Sequence, residues 1–176
     1  QMVRSIGPAN FAKYSREYGF GQKTGIDLPG EASTASLIFS EEQLAQTESN
    51  LAVSSFGQGF NVTMVQLASS FCSLINGGDL YQPHVVKKVV DDSGNTVQEI
   101  NPVVLKETVS QKVSDTLRDY MYTVVSEGTG AKAAVEGYAI GGKTGTAEKV
   151  PRGSGNYVVS FIGYAPVEDP QVVVYV

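Results

Sequence analysis

The stretch Gly137-Tyr138-Ala139-Ile140-Gly141-Gly142-Lys143-Thr144-Gly145-Thr146 can be parsed in two ways. Its opening, Gly137 to Thr144, satisfies G-x-x-x-x-G-K-[ST], the phosphate-cradling loop that leads into a helix. Its close, Gly141 to Thr146, sets Lys-Thr-Gly in a run with strand character. A phosphate loop needs a buried strand before it and a helix beginning at Lys-Thr, so that backbone N–H groups at the helix end face the anion. Neither is present. Tyr138-Ala139-Ile140 is apolar and strand-like, Gly145 and Thr146 follow the lysine, and Pro151 is close behind. The segment Gly130 to Glu136 is no buried strand, and no apolar run ending in Asp follows to hold magnesium. The phosphate loop fails on context, and Lys143, Thr144, Gly145 and Thr146 are predicted to share one strand.

On a strand these four residues have a different chemistry. A lysine ammonium places positive charge beside a nucleophile and shifts its proton equilibria. A threonine hydroxyl beside it can bond a carboxylate. Gly145 removes a side chain, so that a second backbone can lie against the strand and pair with it. The N–H of Thr146 is then free to meet a developing oxyanion. By the period-two rule Thr144 and Thr146 point to the same face. A second copy, Lys23-Thr24-Gly25, lies in a Gly/Pro loop before Ile26-Asp27-Leu28-Pro29-Gly30, and reads as a turn with a solvated lysine.

Outward from this stretch the chain reads as α+β. Pro8 to Tyr18 is predicted as a helix with Phe11, Tyr14 and Tyr18 on one face and Gly19 as its stop. Ser40, with Gln43 three residues on, caps a short helix. Thr63 to Asn76 opens on a T-x-x-Q capping box, carries the stripe Leu67, Phe71, Leu74 and Ile75, and ends at Gly77-Gly78. His84 to Gln98 reads as a hairpin. Ser110 to Val125 is a further helix with Val113, Leu117, Met121, Val124 and Val125 inward. Three strands close the chain, around Tyr138 to Val150, Asn156 to Ala165 and Gln171 to Val176. The turns between them are too short for parallel crossovers, so they are predicted antiparallel in chain order.

Composition excludes several classes. The chain has 176 residues, 41% apolar and 18% charged, which is globular rather than disordered. A net charge of -5 with no basic stripe argues against nucleic acid. One cysteine, Cys72, and one histidine, His84, exclude a Cys/His zinc site and an internal disulfide. No apolar run approaches membrane-spanning length. Both ends are expected to be cut edges of a larger protein, because the apolar run Val172 to Val176 has no cap.

Four segments together resemble one family. "GGKTGTAEKV" resembles the third active-site motif of penicillin-binding proteins, the serine D,D-transpeptidases of peptidoglycan. "SSFGQGFNVTMVQLASSFCSLINGGDLYQPHVV", "YGFGQKTGIDLPGE" and "EGTGAKA" resemble family segments, in the family's order. The finer similarity is to the class B enzymes of division or sporulation. The resemblance implies a penicillin-binding/serine β-lactamase-like fold, with an antiparallel sheet packed by helices. It implies that Lys143 and Thr146 are catalytic, and that Thr144, Gly145 and Thr146 bind an acyl-D-Ala-D-Ala stem peptide or a β-lactam. No cofactor and no metal are implied. The family acts at the extracytoplasmic face of the membrane, through an N-terminal anchor, with the cell-wall synthesis machinery as partner.

Two family motifs have no counterpart here. No serine in this chain has a lysine three residues later, as the nucleophile's Ser-x-x-Lys requires. Ser93-Gly94-Asn95 and Ser154-Gly155-Asn156 match Ser-x-Asn in letters, but each is a Gly turn between strands. Residues 1–176 are therefore expected to be a partial transpeptidase domain, with both motifs upstream of Gln1 and the end of the sheet beyond Val176. Alone, the piece is expected to be inactive. A non-catalytic β-lactam sensor and a D,D-carboxypeptidase stay open beside the transpeptidase. His84, Cys72, Tyr120, Tyr122 and Ser160 read as structural, and Gly57 and Gly59 as a tight strand-to-helix turn.

Overall fold

The computed structural model describes residues 1–176. The first half holds the helices α1 (Met2–Glu17), α2 (Glu41–Gln46), α3 (Glu48–Ser54) and α4 (Met64–Ile75). Strands β1 (Asp79–Tyr81), β2 (Lys88–Val90), β3 (Thr96–Glu99) and β4 (Val104–Glu107) follow. Helix α5 (Gln111–Ser126) then leads into β5 (Gly141–Glu148), β6 (Tyr157–Ala165) and β7 (Val172–Tyr175).

The helix starts are set by side chains that satisfy orphan N–H groups. At α4 the Thr63 hydroxyl accepts the Gln66 N–H while the Gln66 amide oxygen accepts the Thr63 N–H. Ser40 and Gln43 do the same for α2, and Ser110 accepts the Val113 N–H at α5. Gln66 does more. Only 1% exposed, it also accepts from the Thr34 hydroxyl and donates to the Gln22 carbonyl. One buried amide thus ties the Gly-rich loop to α4, satisfying each polar atom that burial would otherwise penalise.

Strands β5, β6 and β7 form an antiparallel sheet in chain order. Its core is Phe71 and Ile75 of α4, Met121 of α5, and Ile162 and Tyr164 of β6, with Leu117, Val173 and Tyr175 against them. Burial of each large apolar side chain contributes roughly 1.5–3 kcal/mol, so the helices fix where the sheet lies. The Tyr164 hydroxyl donates to the Arg118 carbonyl; burial, partly offset by the Arg118 charge, pushes the phenol up to about 12. The opposite sheet face carries Val159, 75% exposed, with Val172 and Val174 also open. A smaller core joins Ala12, Leu44 and Leu51.

Several expectations are corrected. A helical segment from Met2 precedes the expected helix: α1 is interrupted at Gly7, which is non-helical with φ +77°, and the helix expected from Pro8 follows, capped at Tyr18. Val113 is 45% exposed; Ser114 takes the inward place, buried, because its hydroxyl accepts the Gly77 N–H. The hairpin is shorter than His84 to Gln98. Only Lys88–Val90 pairs with Thr96–Glu99, since the N–H groups of Val85 and Val86 are taken by the Asp27 carboxylate at 2.8 and 2.9 Å. Gly57 and Gly59, both at positive φ, join α3 to α4 rather than a strand to a helix. Tyr138-Ala139-Ile140 precedes the strand instead of forming it, with the Ala139 carbonyl accepting from Val167. Strand β1 pairs with β4, an interaction the sequence did not suggest.

Candidate active site

Lys143, Thr144, Gly145 and Thr146 all lie on β5, with no helix beginning at Lys143. The register with β6 decides which way their groups point. Lys143 faces Ile162, Thr144 faces Phe161, Gly145 faces Ser160 and Thr146 faces Val159. Lys143 and Gly145 therefore share the helix-covered face with Ile162 and Ser160. Thr144 and Thr146 share the opposite one. At Gly145 a close approach demands glycine: the Ser160 Oγ lies 2.5 Å from where a Cβ would stand.

The backbone of β5 is open on one edge. Phe161 exchanges both of its backbone hydrogen bonds with Val176. Its partner on the other side, Thr144, is thus in a non-hydrogen-bonded pair and turns its N–H and C=O away from β6. Alternation gives Thr146 the same outward N–H and C=O. Because β5 ends the sheet, these groups face no further strand. The Lys143 Nζ donates to the Thr144 carbonyl at 2.8 Å, which places the ammonium at this same edge although its Cβ starts on the covered face. A cation, two outward backbone N–H groups and a threonine hydroxyl therefore converge along one strand edge. That edge can take an extended peptide as an added strand and bind its anionic end.

One neighbour was not singled out from sequence. Thr129, in the turn after α5, places its Oγ1 3.2 Å from the Thr144 Oγ1. The Thr144 hydroxyl is thereby oriented by a second one. The segment "EGTGAKA" contained the residue, but only the turn shows that it reaches β5.

The other Lys-Thr-Gly is held quite differently. The Glu31 carboxylate accepts from the N–H and hydroxyl of Thr24 and from the N–H of Gly25. Burial alone would raise this carboxyl, but those bonds and the nearby Lys23 hold it below the usual range. Lys23 lines a separate cleft of about 220 Å³, with Tyr18, Leu80 and Lys106, that contains no residue of β5. Ser93-Gly94-Asn95 sits in the β2–β3 turn, bound through Ser93 and Asn95 N–H groups to Asp91. Ser154-Gly155-Asn156 is in the β5–β6 turn. The His84 Nδ1 donates to the Val86 carbonyl. Burial pushes the Cys72 thiol up, which suits packing and not nucleophilic attack.

The family model described as penicillin binding protein transpeptidase domain matches residues 1–176. The stage V sporulation protein D of Bacillus subtilis is 43% identical over 180 residues, covering 100% of this chain and 27% of that protein. The penicillin-binding protein PbpB of Mycolicibacterium smegmatis is 33% identical, over 98% of this chain and 28% of that one. Among solved structures, penicillin-binding protein 3 of Mycobacterium tuberculosis complexed with ampicillin superposes with a TM-score of 0.84 at 30% identity, covering 98% of this chain and 40% of that one. The chain spans about a quarter of the length of the curated relatives it matches. It belongs to the penicillin-binding protein transpeptidase domain family.

Proposed function

We propose that residues 1–176 form the Lys-Thr-Gly wall of a peptidoglycan D,D-transpeptidase of the class B, division or sporulation type. The parent acts at the extracytoplasmic face of the membrane within the cell-wall synthesis machinery. The observation that carries this is the open edge of β5, where Lys143, Thr144 and Thr146 face no other strand. Relatives named peptidoglycan D,D-transpeptidase support it, as do relatives solved with ampicillin and aztreonam.

In this reading the donor stem peptide adds to β5 with its terminal carboxylate on the Thr144 hydroxyl, beside the Lys143 ammonium. A serine from the Ser-x-x-Lys segment, outside these residues, attacks the carbonyl between the two D-alanines. The Thr146 N–H stabilises the oxyanion that forms. Collapse breaks the amide, the terminal D-alanine leaves with the serine proton, and an ester remains. The amine of an acceptor stem then attacks the ester, forms the cross-link and returns a proton to the serine oxygen. A β-lactam enters by the same route, its carboxylate on Thr144. Incubating the complete protein with a fluorescent penicillin, and separately with donor and acceptor peptides, tests the proposal. Labelling with cross-linked product supports it. Labelling without turnover points to a sensor, and hydrolysis without transfer to a carboxypeptidase.

A further inference from the structure

The chain has another open strand edge, far along the sequence from β5. Strands β2 and β3 form a sheet of their own with no third member, and every residue from His84 to Glu99 is exposed. Two strands alone are marginal in water; a third strand or a covering helix is needed for independent stability. This ribbon is nonetheless pinned at both ends. At its base the Val85 and Val86 N–H groups are held by Asp27. At its tip the Asp91 carboxylate accepts from the Ser93 and Asn95 N–H groups and from the Asn95 amide. An edge held in this way is already ordered, which lowers the cost of adding a strand to it.

The two edges of the ribbon differ. Strand β3 carries a bulge, since Val89 faces Gln98 while Val90 faces Thr96, and Val97 is left unpaired. A bulge turns an edge away from new partners. Strand β2 is regular. The Lys87 carbonyl accepts from the Ile100 N–H and the Asp91 N–H donates to the Asn95 carbonyl, so alternation turns the backbone groups of Lys88 and Val90 outward. A lysine on an edge ordinarily repels a second strand, but here Asp92 follows four residues after Lys88. When a second β2 is laid antiparallel about a two-fold axis at Val90, Val90 meets Val90 and each Lys88 meets the other copy's Asp92. An axis at Lys88 would oppose like charges, and one at Val89 would set Lys88 against Val90. Neither Lys88 nor Asp92 belongs to the ion pairs within the chain, which are Arg4–Glu48, Lys106–Glu17 and Arg118–Asp115. Strand β3 carries Glu99 and no cation, so it has no such complement.

We infer that the β2 edge is a contact between two copies of this chain. The second copy pairs with it antiparallel about the axis at Val90, and the two ribbons join into one four-stranded sheet closed by two Lys88–Asp92 ion pairs. The contact uses no residue of β5 and is independent of the transpeptidase reading. It is short, well below the roughly 1,200 Å² that stable interfaces bury, so the pairing is weak and depends on concentration.

Sedimentation velocity of the complete protein over a concentration series tests this. Lys88→Glu alone and Asp92→Lys alone each set like charges opposite one another at both ends of the contact. Each is expected to weaken self-association by roughly tenfold or more. Mixing the two variants brings opposite charges face to face again and restores association as a heterodimer. Both positions are exposed, so thermal unfolding followed by circular dichroism should match the unsubstituted protein. Val90→Cys is expected to form a disulfide with its own copy on mild oxidation, whereas Val97→Cys on the bulged strand does not. A monomer at every concentration would overturn the second copy as occupant of this edge. A dimer unmoved by either charge reversal, or a mixture that associates no more tightly than each variant alone, would overturn the Val90 register and the contact with it.

Discussion

The same three letters occur at Lys23-Thr24-Gly25 and at Lys143-Thr144-Gly145, and the fold gives them opposite uses. In the loop, the hydroxyl and N–H of Thr24 and the N–H of Gly25 are all spent on Glu31. Gly25 sits at a φ of +73°, a left-handed turn that no extended partner can pair with. On β5 the backbone is extended, Ser160 fills the space a Gly145 side chain would need, and the Thr144 and Thr146 backbone groups face outward. A tripeptide of this kind is a site only when its donors are left unspent. The loop copy is bound up within its own loop, and the strand copy keeps the outward N–H groups of Thr144 and Thr146 free of any strand.

Substitutions in the complete protein can break or sharpen that contrast. The largest expected effect is all-or-none. Residues 1–176 alone form no covalent adduct with penicillin by mass spectrometry, since no Ser-x-x-Lys serine is among them, and the upstream segment restores labelling. An adduct on any serine of this chain would mislocate the nucleophile. Thr144→Val removes one hydroxyl from a carboxylate contact, which contributes roughly 1.5–3 kcal/mol. Stopped-flow acylation is expected to slow by about ten- to a hundredfold. Thr129→Val leaves the Thr144 hydroxyl in place but unoriented, so acylation drops by only a few-fold, on the order of a neutral hydrogen bond.

How far these features could be read beforehand depended on the distance between partners. The β5 strand and the caps at Thr63 and Ser40 were legible, because motif, period and cap lie within a few residues. The inward face of α5 was misread by one position. Ser114 is polar, and only the Gly77 N–H brought beside it by the fold explains its burial. Asp27 showed no signal at all, since the N–H groups it binds lie on Val85 and Val86. Thr129 is invisible for the same reason, and β1 and β4 are too short for periodicity to register.

The loop copy yields a smaller, opposite kind of effect. Bonds from the Val85 and Val86 N–H groups hold the Asp27 carboxyl below its ordinary 3.8, and Glu31 is held below its ordinary 4.5. Depressed carboxyls stabilise above their unfolded values and lose that stabilisation as pH falls through the folded ones. Protease resistance of the 19–34 loop is therefore expected at pH 7 and lost as the pH drops below about 4. Asp27→Asn should reduce resistance at pH 7 and flatten its pH dependence. Unchanged cleavage across that range would remove these carboxylates from the account of the loop.

The most direct test compares the two lysines in one assay. The second-order rate of penicillin acylation is measured for the complete protein, for Lys143→Ala and for Lys23→Ala. Loss of the Lys143 charge and donor together should slow acylation by more than the roughly hundredfold limit set for one hydroxyl, while Lys23→Ala stays within about twofold, as expected for a solvated charge. Equal losses at both positions, or the greater loss at Lys23, would contradict the assignment of β5 as the acyl-transfer edge.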